Sequence, residues 1–349
     1  MSSTQALPEA ANNEGESGRG PDYPRPFRPH PWLRGGHVQT LASFFLPRRI
    51  ELPAPEERLV EVAPGVPLRC VCHWQSDRRG PMTLIVVHGL EGSSESQYMR
   101  GIASKALAAG MNVVRVNQRN CGGTDHLSPT LYNSGLSGDI AAVARHFVEN
   151  DGVSQFVLAG FSMGGNLVLK LAGECGSSGP AEFRGVVGVC PAMDLAVGAD
   201  ALHEPANRIY EYHFLVNLFR RFRHKARLFP GTFDPARLSG VRTLRQFDDR
   251  VTAYYCGYTG ASDYYARAAA SNVIDQIAVP AAILHAANDP FVRFLSETRA
   301  KVLGNPNIRY IESEDGGHCA FISESDHDSN YDGRWAEREV VEFARQRAK

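Results

Sequence analysis

Short runs of apolar residues, separated by segments of helical periodicity, recur along the chain from residue 59 onward. Most of these runs are four or five residues long, the length and composition typical of strands buried on both faces of a sheet. The first two runs are joined by a Pro/Gly turn, which predicts an antiparallel pair at one sheet edge. The predicted strands span residues 59–62, 68–74, 83–87, 112–116, 155–159, 186–189, 281–285 and 308–311.

Helical patterns fill most of the segments between these strands. The predicted helices span residues 98–109, 139–149, 164–175, 294–303 and 335–345. Regular alternation of strand and helix favours right-handed crossovers and a mostly parallel sheet with helices on both faces. The pattern therefore predicts an α/β fold.

The segment 195–270 departs from this alternation because it contains no clear buried strand. Apolar residues recur there at steps of three or four, as at Leu215, Phe219 and Phe222, which indicates amphipathic helices. An insertion at this point would form a helical cap above the carboxyl ends of the parallel strands, where such sheets bind ligands. Beside the apolar stripe lies a basic cluster: Arg220, Arg221, Arg223, His224, Lys225 and Arg227.

Two readings of that basic cluster remain open from the sequence. A basic amphipathic helix could attract anionic or interfacial acyl substrates. The simpler alternative is a solvated basic face over a packed stripe.

The amino-terminal region divides into a tail and an arm. Residues 1–24 carry almost no large apolar side chain, so burial cannot offset the entropy of ordering them, and we predict a disordered tail. Residues 31–45 are aromatic and apolar, which predicts an arm packed on the body of the protein. We expect one domain over residues 25–349, with its cap at about 195–270.

Composition restricts the partners and the compartment. The formal net charge is −1, from 37 basic and 38 acidic residues, so no global field favours nucleic acid or an anionic membrane. The seven cysteines are scattered without a CxxC pair, which favours reduced thiols over a zinc or dithiol site. No signal peptide or run of ~18 apolar residues is present. These features predict a cytoplasmic protein without an integral membrane segment or nucleic-acid partner, and they leave the oligomeric state open.

The sequence Gly160-Phe161-Ser162-Met163-Gly164 lies between a predicted strand and a predicted helix. In that context GxSxG is typical of a nucleophile elbow, a sharp turn that presents the serine hydroxyl above the sheet. The alternative is a glycine-rich turn with an incidental serine. We predict that Ser162 is a nucleophile.

A serine hydroxyl needs a base to take its proton and an acid to orient that base. His318 follows the last predicted strand and is the predicted base; a satisfied loop histidine is the alternative. Asp289 follows the strand 281–285 and is the predicted acid, although its Asn-Asp-Pro context also fits a simple turn. Asp194, after the strand 186–189, is the competing candidate.

Two backbone N–H groups are needed to stabilise the developing oxyanion. One is expected from Met163, and Leu90 in the loop after the strand 83–87 is the candidate for the other. Together these residues predict a carboxylic-ester hydrolase that acts on small-molecule or lipid esters through an acyl-serine, with no metal and no cofactor. An acyltransferase with an alcohol acceptor and a non-catalytic binding protein are the alternatives. His37 and Cys121 are predicted to pack rather than react.

Seven motifs together resemble the YheT-like branch of α/β-hydrolases, which includes bacterial esterase-like proteins, yeast medium-chain ester synthase/esterases and animal phospholipase-like members. The resemblance implies an α/β-hydrolase fold and a triad at Ser162, Asp289 and His318. The chain departs from the family at Asn120, where glycine is usual; because asparagine tolerates a left-handed backbone, the loop shape is expected to survive. The motifs are PWLRGGHVQT (31–40), HGLEGSS (88–94), GFSMGGN (160–166), RQFDD (245–249), ASDYY (261–265), NDPF (288–291) and GGH (316–318).

Overall fold

A computed structural model describes residues 23–326 and 331–348. Its strands are β1 (Glu56–Ala63), β2 (Val66–His73), β3 (Thr83–Val87), β4 (Asn112–Val116), β5 (Phe156–Phe161), β6 (Phe183–Val189), β7 (Ala281–Ala286) and β8 (Ile308–Ser313). They form an eight-stranded sheet in the order β1-β2-β4-β3-β5-β6-β7-β8. β2 pairs antiparallel with β1 and with β4, whereas all pairs from β4 to β8 are parallel.

Helices cover both faces of the sheet. They are α1 (Gly36–Phe45), α2 (Gln97–Ala108), α3 (Ser137–Asp151), α4 (Met163–Cys175), α5 (Leu195–Leu202), α6 (Arg208–Leu228), α7 (Leu244–Phe247), α8 (Tyr254–Cys256), α9 (Ala261–Ala268), α10 (Ser296–Gly304) and α11 (Trp335–Arg347). Residues of α3, α4 and α10 share one buried apolar cluster, which includes Phe147. Residues of α2 and α11 share a second buried apolar cluster, which includes Trp335. The predicted fold class and the edge position of the β1–β2 pair are confirmed.

The segment between β6 and β7 is helical. Residues 195–270, all of which the structure describes, form α5 to α9 with a π-helix at Asp248–Ala253, and they contain no strand. Their apolar side chains form a separate cluster that also includes Phe291 from the loop after β7. The insertion thus packs on the loop at the carboxyl end of β7.

Two of the six basic residues of α6 attach this helix to the sheet domain. Lys225 is completely buried and donates hydrogen bonds to Asn120 Oδ1 (2.9 Å) and to the carbonyl oxygen of Asp125 (2.8 Å). The Arg221 guanidinium binds both carboxylate oxygens of Glu91, at 3.0 and 3.2 Å. The remaining four residues of the basic cluster are exposed. The cluster therefore contains a buried polar attachment as well as a solvated face.

The buried contact of the amino-terminal arm is polar, and among its aromatic side chains Phe44 packs edge-on against His213 with ring centroids 5.3 Å apart. Gln39 is buried, whereas Trp32, Phe44 and Phe45 are 86%, 64% and 74% exposed. Of the predicted tail, residues 1–22 lie outside the described residues, and the ring of Tyr23 lies 6.4 Å from that of Phe343. Across the described ranges, no helix combines the length and apolar character needed to cross a membrane.

Candidate active site

Ser162 occupies a strained turn between β5 and α4. Its backbone has φ +53° and ψ −118°, a conformation that non-glycine residues rarely adopt. The turn is held by its own amides, since Ser162 N donates to the Val189 carbonyl (2.9 Å) and the Ser162 carbonyl accepts from Asn166 N (3.0 Å). Such strain persists only where surrounding contacts determine the conformation, and here it sets the position of the hydroxyl.

The two glycines of the GxSxG sequence are required by close backbone packing. A Cβ atom at Gly160 would lie 2.1 Å from the Gly164 carbonyl oxygen. A Cβ atom at Gly164 would lie 2.4 Å from the carbonyl oxygen of Val87 on the neighbouring strand β3. Both distances are far below van der Waals contact, so only glycine lets α4 approach the sheet this closely.

Asp289 and His318 form a buried pair at the ends of β7 and β8. His318 Nδ1 lies 2.7 Å from Asp289 Oδ2. The other carboxylate oxygen, Oδ1, accepts from the backbone N–H groups of Phe291 (3.1 Å) and Val292 (2.9 Å). The Asp289 side chain is completely buried and that of His318 is 12% exposed. These contacts fix the imidazole with Nδ1 toward the carboxylate and leave Nε2 for another partner.

Electrostatics within this pair favours the charged forms. Burial alone would raise the pKa of Asp289, but the adjacent imidazole outweighs burial and lowers it below the ordinary value. Burial would likewise lower the pKa of His318, yet the Asp289 carboxylate and Cys319 raise it well above the ordinary histidine value. An imidazole of raised pKa is a stronger base, which suits it to accept a proton.

The hydroxyl of Ser162 is not hydrogen-bonded to the other two residues of the predicted triad. Its Oγ makes no hydrogen bond to any residue that the structure describes, and the neighbour of His318 Nε2 is Cys319 Sγ at 3.8 Å. Burial would raise the pKa of the Cys319 thiol, but Cys190 and His318 lower it to about 6. Hydrogen bonds between nucleophile and base are often long before substrate binds. The structure thus brings Asp289 and His318 together directly, whereas Ser162 lines a cavity that also contains Phe291, whose ring centroid lies 4.3 Å from that of His318.

The competing acid, Asp194, has a different role. Its oxygens accept hydrogen bonds from Leu295 N (2.9 Å) and Thr298 Oγ1 (2.8 Å) at the start of α10. It makes no hydrogen bond to His318, so it supports a helix end instead. Of the two residues predicted to pack, His37 bonds through Nδ1 to Tyr210 OH (3.0 Å) and Cys121 is completely buried.

The two predicted oxyanion donors line one cavity together with Ser162. Met163 N is the first amide of α4, and Leu90 N lies in the loop after β3; neither donates a hydrogen bond to another of the described residues. A Cβ atom at the preceding Gly89 would lie 3.2 Å from Ser162 Cβ, so this loop passes close to the serine. The arrangement leaves two free N–H groups beside the hydroxyl.

Helix α1 supports the loop that carries His318, a role that sequence reasoning missed. Thr40 Oγ1 accepts a hydrogen bond from His318 N (2.9 Å). Gln39 exchanges two hydrogen bonds with the backbone of Ile322, at 2.7 and 2.9 Å. A Cβ atom at Gly36 would lie 1.9 Å from the carbonyl oxygen of Asn288 in the loop that carries Asp289. The PWLRGGHVQT motif was the only available signal, because these contacts join distant parts of the chain.

A cavity of about 120 Å³ opens beside Ser162 beneath the cap. Most of its wall is apolar, from residues of α5, α6 and α7 and the loop after β7. The wall residues include Leu195, Leu202, Phe214, Leu218, Phe222, Leu244, Phe247, Phe291 and Val292. Such a lining suits an acyl chain rather than a charged group.

Asp248 is a polar exception in the cavity wall. Its carboxylate accepts hydrogen bonds from Tyr265 OH and Thr252 Oγ1, both at 2.7 Å, and it has no ion pair among the described residues. Burial raises its pKa to about 6. Tyr264 and Tyr265 of the ASDYY motif also line the cavity, whereas Asp263 accepts from Thr259 N (2.9 Å) at the start of α9.

Comparison with known proteins assigns this chain to a family. A model described as "alpha/beta hydrolase fold" matches residues 83–325. The "Putative esterase YheT" of Escherichia coli is 32% identical over 241 residues, covering 68% of this chain and 70% of that protein. The human protein "Phospholipase ABHD3" is 25% identical over 305 residues, covering 85% and 73%.

The fold is also similar to that of solved structures. A Pyrococcus furiosus esterase superposes with a TM-score of 0.55 at 16% identity, covering 87% of this chain and 97% of that one. The relation to YheT-like proteins predicted from the motifs is confirmed by the sequence matches. The chain belongs to the α/β-hydrolase family.

Proposed function

We propose that this protein is a serine esterase that cleaves carboxylic esters through an acyl-serine, with Ser162 as nucleophile, His318 as base and Asp289 as acid. The observation that carries the proposal is the 2.7 Å bond between Asp289 and His318, whose imidazole packs on Phe291, a residue that lines the same cavity as Ser162. Sequence relatives named as an esterase and a phospholipase support ester hydrolysis as the reaction class.

In the proposed reaction, Nε2 of His318 takes the hydroxyl proton as Ser162 Oγ attacks the ester carbonyl carbon. Asp289 holds Nδ1 and stabilises the imidazolium that forms. The negative charge on the carbonyl oxygen is stabilised by the N–H groups of Leu90 and Met163. The imidazolium returns its proton to the leaving alcohol, and water then cleaves the acyl-serine by the same steps.

The cavity indicates which part of the substrate lies beneath the cap. Its apolar wall favours an acyl chain, which gains about 25 cal/mol for each Å² of apolar surface removed from water. One relative is the yeast "Monoacylglycerol lipase", 28% identical over 257 residues. We therefore propose acyl esters with an apolar acyl chain, including lipid esters, as the substrate class.

The decisive experiment is Ser162→Ala. Removal of the nucleophile is expected to lower kcat by on the order of 10⁶ on p-nitrophenyl esters and to abolish labelling by a fluorophosphonate probe. Ser134, another serine that lines the cavity, provides the matched control, because Ser134→Ala is expected to retain labelling. Esterase activity that survives in Ser162→Ala would refute the assignment. Absence of labelling in the wild-type protein would favour a binding protein instead.

A further inference from the structure

Two cysteine sulfurs lie beside the His318 imidazole, and the proposed mechanism uses neither. Cys190 directly follows β6, and Cys319 directly follows His318. The two Sγ atoms and a ring nitrogen of His318 all lie within 4.8 Å of one another. The Sγ atom of Cys319 is 3.8 Å from Nε2. Three ligand atoms of the kind that zinc prefers therefore share one small volume.

The spacing matches a tetrahedral zinc site. Zn–S bonds of about 2.3 Å and Zn–N bonds of about 2.0 to 2.1 Å place neighbouring ligand atoms roughly 3.6 to 3.8 Å apart at tetrahedral angles. The 3.8 Å between Cys319 Sγ and His318 Nε2 meets this requirement. Cys190 Sγ lies within 4.8 Å of the other two ligand atoms, so movement of its side chain brings all three ligands onto one ion, with the fourth position left for water.

The histidine is already held as metal-binding histidines usually are. A ligating imidazole commonly donates its other N–H to a carboxylate, which fixes the ring and raises its basicity. His318 Nδ1 makes this contact with Asp289 at 2.7 Å, and both oxygens of Asp289 are occupied. The free nitrogen, Nε2, is the one that lies 3.8 Å from Cys319 Sγ.

The backbone also holds both cysteines in place. Cys190 and Cys319 have φ values of +41° and +59°, in the left-handed region that non-glycine residues seldom occupy. The amide of Cys319 donates to Cys190 Sγ at 3.4 Å, which ties the two residues together. Strained positions of this kind persist where the surrounding structure determines them. The fold itself therefore holds the two sulfurs close together before an ion binds.

We propose that Cys190, Cys319 and His318 form a binding site for Zn²⁺ or another thiophilic divalent cation, and that the bound ion inhibits the enzyme. The ion takes the Nε2 lone pair that would otherwise accept the serine proton, and the two thiol protons pass to solvent. No oxidant is required. The inhibition rests on the proposed function, whereas binding of the ion does not.

Cd²⁺ binding to the reduced full-length Ser162→Ala variant tests the site without any need for catalysis. One equivalent of Cd²⁺ is expected to produce a thiolate-to-metal charge-transfer absorption, which a chelator removes. Cys319→Ser is expected to weaken Cd²⁺ binding by about 100-fold or more, since loss of an outer partner alone costs 10- to 100-fold. Cys190→Ser should have a similar effect on Cd²⁺ binding. If Cys190→Ser fails to fold, Cys319→Ser still tests the site, because Cys319 is less buried than Cys190.

Cys175→Ser is the matched control, because Cys175 is a partly exposed thiol outside the cluster. Its Cd²⁺ affinity should equal that of the parent. In the wild-type enzyme, Zn²⁺ should inhibit ester hydrolysis, and Cys319→Ser should require about 100-fold more Zn²⁺ for the same fractional inhibition. Absence of the absorption, or its survival in Cys319→Ser, overturns the site. Residual esterase activity in Ser162→Ala would instead refute the proposed function and leave the metal result unaffected.

Discussion

One contact that holds the loop carrying His318 is a side-chain hydroxyl from the opposite end of the chain. Thr40 Oγ1 accepts from His318 N and donates to the Gly36 carbonyl oxygen at 2.6 Å. Thr40→Val preserves the shape but leaves the His318 amide unpaired, so the imidazole is positioned less precisely. We expect kcat to fall by about 10- to 100-fold with little change in KM. Steady-state kinetics checks this, and Thr40→Ser should restore kcat because it restores the oxygen.

Substitution of the two candidate acids, Asp289 and Asp194, tests which of them is the acid of the triad. Asp289→Asn is expected to lower kcat by about 10⁴-fold, because the amide no longer stabilises the imidazolium. Since Asp289 raises the pKa of His318, and activity needs the neutral imidazole, the acid limb of the kcat/KM profile should move to lower pH in this variant. Asp194→Asn should reduce stability at α10 while kcat stays within a few-fold. A reversed order of these two effects on kcat would contradict the assignment of the acid.

Residues at strand ends were predictable from the sequence, whereas their supports were not. Ser162, Asp289 and His318 follow three apolar runs, and local pattern alone places such residues at one edge of a parallel sheet. Thr40 and Cys190 act through contacts with residues more than one hundred positions away, so no local periodicity marks them. The roles of the predicted site residues await the experiments above.

At the scale of elements, the turn from β5 into α4 depends on close backbone contact. Gly164→Ala would place a Cβ atom 2.4 Å from the Val87 carbonyl oxygen and 2.5 Å from that of His88, so strand and helix must separate. We expect a loss of about 3 kcal/mol in the free energy of unfolding, together with reduced kcat. A Cβ atom at Gly138 in α3 would meet no other atom within 4 Å, so Gly138→Ala should be neutral or stabilising by up to about 1 kcal/mol. Urea denaturation checks both, and equal losses would contradict the packing argument.

Strands were predicted more accurately than the elements around them. Each predicted strand corresponds to an observed one because a continuous buried run leaves little choice of structure. Helix α1 was anticipated only as an arm, since its aromatic side chains are exposed and its buried contacts are polar. The π-helix at Asp248–Ala253 was also missed, because a single extra residue per turn leaves no distinct apolar period.

For the whole molecule, the buried carboxyl of Asp248 makes stability depend on pH. Its pKa of about 6 in the folded protein exceeds the ordinary value of 3.8, so between about pH 4 and pH 6 the native state holds a proton that the unfolded chain has lost. As the pH rises from about 4 to 6, this group should therefore lower the free energy of unfolding by about 1.4 kcal/mol for each pH unit. Asp248→Asn should lack that component, as measured by urea denaturation from pH 4 to 7.

The neighbouring Asp249 offers a control because it is exposed. Asp249→Asn should reproduce the pH dependence of the wild-type protein. Identical pH slopes for Asp248→Asn and the wild-type protein would show that the buried carboxyl does not titrate in this interval.

The bond between Thr40 and the amide of His318 joins positions 278 residues apart, and the family match begins only at residue 83. A fragment trimmed to the borders of that match would contain every group proposed to react and would lack the helix that aims one of them. The family model therefore delimits a shared scaffold rather than the smallest competent enzyme. For protein engineers, minimal versions of such hydrolases should be designed from the contacts of the histidine loop rather than from alignment boundaries.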